Sequence, residues 1–159
     1  MQRLLMIEDD ARLAAMVSEY LEPSGYEVAH AADGEAGLAA LQAPATGALP
    51  QLVILDLMLP GIDGLEVCRR LRTLPGPASQ VPVLMDGGIR RGGDIVKAMA
   101  LGASACLVGR AGLYGLASGG RAGVERAISM LQKEIDITQA LLGIARLSEI
   151  DRSALFPER

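Results

Sequence analysis

The chain of 159 residues is long enough to bury a real core, and half of it is hydrophobic, but with no Trp, one Phe and three Tyr that core must be aliphatic. A formal net charge of −4 argues against a general nucleic-acid binder, which needs a basic face, and no apolar run approaches membrane-spanning length. With no charged-then-apolar leader at the start, the expected setting is cytoplasmic, with neither nucleic acid nor membrane as partner.

In chain order, "RLLMI" reads as a short apolar strand ending at Glu8, Asp9 and Asp10. "ARLAAMVSEYLEPSG" puts Leu13, Val17, Tyr20 and Leu21 on one helical face and stops at Pro23 and Gly25. "YEVAHAADG" is a second strand turning at Asp33–Gly34, and His30 is a polar residue at its end. "EAGLAALQA" is a short helix closed by Pro44 and Gly47. "QLVIL" leads a third strand to Asp56; its unbroken apolar run suits a central parallel strand. "LEVCRRLRTL" is the third helix, "VPVLM" the fourth strand and "DIVKAMALG" the fourth helix, with Gly102 fitted to the left-handed end position. "ASACLVG" is the fifth strand, "LYGLA" a turn or two of helix, and a long helical pattern runs from about Arg121 to Leu142. Cys68 and Cys106 lack metal-ligand spacing and read as buried thiols.

The alternation predicts an α/β fold with right-handed crossovers. Five strands are too few for a (β/α)8 barrel. The expected closure is a flavodoxin-like (βα)5 doubly wound parallel sheet, strand order 2-1-3-4-5, with an extended C-terminal helix and tail in a single domain over 1–159. In that topology the first and third strands are neighbours, so Glu8, Asp9 and Asp56 converge at their carboxyl ends. Three carboxylates that close call for a cation, and Mg²⁺ suits a few carboxylates plus water.

Residues 1 to about 75 resemble the receiver domain of a bacterial response regulator, through the pair Glu8–Asp9 and "LDLMLPGIDG". The resemblance implies Asp56 as phosphoacceptor, and Glu8, Asp9, Asp56 and the Met58 carbonyl around Mg²⁺. A receiver also has a Ser or Thr ending its fourth strand and a Lys ending its fifth. Here Gly87 and Gly109 stand at those positions, so the switch is expected to be broken.

The second half has another motif. In "VLMDGGIRRGGD", Gly87, Gly88, Gly92 and Gly93 let backbone N–H groups approach an anion, and Arg90 and Arg110 add charge-assisted donors. Helix N-termini near Asp94 and Ala111 supply further donors; the bland alternative is that such glycines only make tight turns. From about Val81 to the end (81–159) the chain resembles the last βα units and tail of the FMN-dependent α-hydroxy-acid oxidases and dehydrogenases. That resemblance implies that Asp86, Gly87, Gly88, Arg90, Gly109 and Arg110 surround an FMN phosphate, or inorganic phosphate. The catalytic His and the substrate-binding Lys, Tyr and Arg of that family have no matching segment here, so hydroxy-acid oxidation is not expected and the chain reads as no enzyme.

The two resemblances meet between about Leu74 and Val81. They imply an engineered fold chimera without a complete native activity, keeping a phosphate or weak FMN subsite and a vestigial Mg²⁺ pocket. The alternative is a two-component receiver phosphorylated on Asp56 by a sensor kinase. The long final helix should outreach the sheet, with its excess apolar stripe meeting the tail from Ile150 to Phe156 or, second, another copy; a monomer or weak homodimer is expected.

Overall fold

The structure, a computed structural model, describes residues 2–42 and 48–155. Two compact units divide the chain, Met1–Asp86 and Gly87–Arg159. The first contains β1 (Gln2–Ile7), α1 (Ala11–Leu21), β2 (Tyr26–Ala31), α2 (Gly34–Gln42), β3 (Leu52–Asp56), α3 (Gly64–Leu71) and β4 (Val83–Asp86). The second contains α4 (Gly92–Ala100), β5 (Ala105–Cys106) and α5 (Arg110–Leu142), followed by two short 3-10 turns. The strand order is β2-β1-β3-β4-β5, the flavodoxin-like order expected.

Local chemistry starts α1, α2 and α3 where the sequence suggests. Asp10 caps α1 by accepting from the N–H groups of Arg12 and Leu13 (2.9 and 3.1 Å). Asp33 and Asp63 do the same for α2 and α3 through Ala36 and Glu66, both at 2.8 Å. Gly25, at φ +86°, ends the turn after α1. Gly102, at φ +105°, follows α4 as expected. Pro44 and Gly47, read as the closing residues of α2, lie outside the described residues, as does Phe156.

Register explains the core of the first unit. Leu5 pairs Val53 and Val53 pairs Val83; Ile7 pairs Leu55 and Leu55 pairs Met85. In a parallel sheet these six point to one face, and all six are buried. Gly37 brings α2 onto that face, for a Cβ there would collide with Ile7. On the opposite face Leu4 and Met6 are buried, but Leu52, Ile54 and Leu84 are only half-buried. The unbroken apolar strands are therefore sealed on one side and partly open on the other.

Three expectations need correction. The predicted face of α1 splits: Val17 and Leu21 are half-buried, whereas Leu13 and Tyr20 are exposed, because the helix turns Ala14 inward. β5 is two residues long, not the seven of "ASACLVG". Cys68 is buried but Cys106 only partly so.

In the second unit α5 is two helical limbs joined at Gly119 and Gly120, where φ is −162° and +56°, as the separate "LYGLA" and Arg121–Leu142 patterns suggest. The limb before the break turns back on the limb after it. Gly115 and Gly123 meet so closely that a Cβ on Gly115 would stand 2.6 Å from the Gly123 carbonyl oxygen. Ile135 packs with Ile144, Leu147, Ile150, Leu155, Val96 and Ala100. The tail up to Leu155 thus takes up part of the long helix's apolar stripe, the first of the two expected outcomes.

Candidate functional site

The carboxyl edge of the first unit is set by strand register. Because Ile7 is level with Leu55, the next residues, Glu8 and Asp56, arrive side by side. Asp9 follows directly, and one ligand oxygen from each of Glu8, Asp9 and Asp56 lies within 4.8 Å of the others. Glu8 is buried at 8% exposure, Asp56 is half-buried and Asp9 is exposed. One side of the cluster is therefore fixed in protein and the other opens to solvent.

Glu8 is held locally. A side-chain oxygen of Glu8 accepts from the Asp10 N–H at 3.1 Å. The His30 ring, 22 residues away, donates from Nε2 to the Glu8 carbonyl at 2.7 Å, and the Glu8 N–H bonds the Ala31 carbonyl at 3.0 Å. This pins the first strand's tip against the second and gives His30 a structural role that no sequence motif signals. Burial pushes the Glu8 carboxyl above its ordinary value, and the charges of Asp56 and Asp9 push the same way, against the Asp10 hydrogen bond. A divalent cation would reverse that electrostatic penalty, and the all-oxygen, half-open donor set fits a hard ion that keeps part of its water.

The segment after β3 folds back onto the acidic edge. The Leu57 N–H donates to the Asp86 carbonyl at 2.9 Å, and the Gly64 N–H to the Leu57 carbonyl at 3.0 Å. Gly61 takes φ +79° in the turn. At Gly64 any Cβ would fall on the Asp56 carbonyl, so only glycine lets α3 begin this near the tip of β3. Met58 is 60% exposed in this loop.

Asp86 ends β4. It pairs with Asp56 in the β3–β4 register, so it extends the acidic edge of the first unit. Among the other residues proposed around a phosphate, Gly87 and Gly88 have φ of +74° and +64°, conformations that favour glycine. Gly109 precedes α5 and Arg110 is its first residue; Arg90 and Arg110 are exposed.

The donors beside them are already engaged. The N–H groups of Arg90 and Arg91 both donate to one Asp94 carboxylate oxygen at 2.9 Å. The Gly92 N–H, at the start of α4, donates to Glu134 at 2.7 Å, and Arg91 approaches the same carboxylate at 3.4 Å. Gly92 is also a packing residue: a Cβ there would sit 2.6 Å from both the Glu134 Cβ and the Ile135 nitrogen. Glu134, 42 positions away, is the partner that sequence reasoning missed, since only the α4–α5 contact brings it near.

The profile of the FMN-dependent dehydrogenase family matches residues 55–157. An L-lactate oxidase from Nostoc sp. is 59% identical over 73 residues, which is 46% of this chain and 20% of that protein. The chain thus spans about a fifth of the length of the curated relatives it matches. Among solved structures, a response regulator from Chloroflexus aurantiacus is 35% identical with a TM-score of 0.56, over 67% of this chain and 83% of that one. The Mn²⁺-bound form of the response regulator Rcp1 is 27% identical with a TM-score of 0.60, over 68% of this chain and 81% of that one. No helix among the described residues is long and apolar enough to cross a membrane.

Proposed function

This chain belongs to the FMN-dependent dehydrogenase family through residues 55–157, and since its fold neighbours are response-regulator receivers, we propose that it is an engineered chimera of the two with no complete native activity. The proposal assigns residues 1 to about 75 to the receiver parent and 81–159 to the barrel parent. The observation that carries it is the carboxylate trio, complete in oxygen donors, in a sequence that has Gly87 and Gly109 at the positions where a receiver has a hydroxyl and an ammonium.

In this reading Glu8, Asp9 and Asp56, with the Met58 carbonyl, hold Mg²⁺, which would supply charge neutralisation for an incoming phosphoryl group. The Mn²⁺ held by Rcp1 supports a divalent ion on this fold. Asp56 offers the attacking oxygen, while Glu8 and Asp9 only position the cation. With glycine at 87 and 109, no side chain there can bond the transferred phosphoryl oxygens and carry the change to β4 or β5. On the barrel side Asp86, Gly87, Gly88, Arg90, Gly109 and Arg110 are proposed to surround phosphate, with FMN weak because most of its parental pocket has no counterpart.

The second reading, a signalling receiver phosphorylated on Asp56 by a sensor kinase, is favoured by the same trio. Magnesium titration with acyl-phosphate labelling separates the two. The chimera predicts Mg²⁺ binding with slow labelling and no coupled change at β4 or β5. Rapid labelling abolished by Asp56→Asn, with such a change, establishes the receiver instead. Calorimetry with phosphate and with FMN, on the parent and on Arg90→Ala/Arg110→Ala, tests the barrel remnant; binding indifferent to both arginines, or no binding, removes it.

A further inference from the structure

Between the end of β1 at Ile7 and the start of α1 at Ala11 stand Glu8, Asp9 and Asp10, and the first two are cation ligands in the reading above. Ile7 is fixed in register between Ala31 and Leu55, and Asp10 is fixed as the cap of α1. The peptide unit joining Glu8 to Asp9 lies outside both elements. Its carbonyl is the one that accepts from His30 Nε2 at 2.7 Å, the short end of the N–H···O range. A carbonyl oxygen has no proton to give, so Nε2 carries the hydrogen of this bond.

A peptide unit is planar, so the direction of its carbonyl also sets the direction in which the next Cα leaves. The His30 bond therefore orients the plane that holds the Cα atoms of both Glu8 and Asp9. The plane before it is held by the Glu8 N–H, which donates to the Ala31 carbonyl at 3.0 Å. With both flanking planes tied to the tip of β2, the backbone of Glu8 is fixed, and the Asp10 N–H holds its carboxylate at 3.1 Å. Asp9 is exposed, so backbone direction rather than burial brings its carboxylate to the cluster. His30 is exposed too, and its contribution is the hydrogen bond rather than buried ring area.

We infer that His30 is a positioning residue for the cation site: by holding the Glu8–Asp9 peptide it sets two of the three carboxylates at the spacing a divalent ion needs. The inference rests on the cation reading of the trio. Outer partners that orient metal ligands typically carry roughly 10–100-fold in affinity, and a bond to the ligands' backbone belongs at the low end of that range.

Calorimetric titration of the intact chain with Mg²⁺ tests this. His30→Ala should bind about tenfold more weakly, with little change in the metal-free thermal midpoint. His30→Gln, whose amide nitrogen stands as many bonds from Cβ as Nε2 does, should recover most of the affinity, whereas the shorter His30→Asn should not. Asp9→Asn should shrink the effect of His30→Ala, because one of the two ligands that His30 places is then gone. His30 is the only histidine, so its ring signal in a ¹H–¹⁵N spectrum is unambiguous and should shift as Mg²⁺ fills the site. Unchanged affinity in His30→Ala, with or without a lowered midpoint, overturns the inference and leaves the cation reading standing. A His30→Gln that binds no better than His30→Ala overturns it equally. A parent that binds no Mg²⁺ overturns the cation reading and the inference with it.

Discussion

Replacing Asp56 by Asn removes one charge from the carboxylate trio while keeping its shape, and should stabilise the protein in metal-free buffer. With ligand oxygens within 4.8 Å, each like-charge pair costs about 0.9 kcal/mol in a water-like medium and about 3.5 kcal/mol at an effective dielectric of 20. Asp56 faces both Glu8 and Asp9, but Asp9 is exposed and solvent screens it. The lower end applies, giving about 1–2 kcal/mol for the two pairs, or a rise of about 2–8 °C in thermal midpoint for a chain this long. Mg²⁺ inverts the comparison, since it stabilises the folded state by binding it and binds three carboxylates better than two.

The pH dependence follows from Glu8. Its folded pKa lies above the ordinary 4.5, so its contribution to stability is fully present below 4.5 and is lost as pH rises through the folded value. Metal-free stability should therefore fall across the window just above 4.5, and Asp56→Asn should flatten that fall by removing one of the charges that raise the pKa. Thermal unfolding of both proteins with EDTA and with Mg²⁺, at several pH values, measures all of this. If Asp56→Asn lowers the midpoint without metal, or Mg²⁺ shifts both proteins equally, the trio is not a cation site.

Gly64→Ala should cost about 1–3 kcal/mol or more in urea unfolding, because its Cβ falls on the Asp56 carbonyl, and Mg²⁺ affinity should fall with it. Glu134→Ala should cost about 0.5–2 kcal/mol, as the loss of a helix cap does. Gly92→Ala should cost more, since its Cβ has no room beside Glu134 and Ile135; equal costs would refute the packing argument. Glu66 is held at about 2, chiefly by the Arg69 and then the Arg70 hydrogen bond. Its stabilisation is present above 4.5 and lost as pH falls toward 2, so Glu66→Gln should reduce the acid sensitivity measured by circular dichroism.

Much of the first unit was legible from its residues because its signals are local. Asp10, Asp33 and Asp63 are helix caps by their own side-chain reach, and Gly25 takes left-handed geometry where a helical pattern stops, as Gly102 does in the second unit. The trio was legible too, since apolar strands ending in Glu8 and Asp56 must meet once their strands are parallel neighbours. The residues around the second motif were harder, because a glycine reads the same whether it faces an anion or a helix. Gly92 looked like part of an anion cradle and is instead the place where α4 touches α5.

The order of strands, the helix starts and the acidic tip thus belong to the sequence alone, because hydrophobic period, caps and turn residues act within a few positions of themselves. Tertiary structure alone decided that Asp86 lies level with Asp56, that Glu134 takes the Gly92 N–H, that Gly115 meets Gly123 across the break in α5, and that Leu13 and Tyr20 face solvent. Each depends on register or on a contact between residues distant in the chain. A residue's own chemistry says which partner it can accept, and only packing settles which partner arrives.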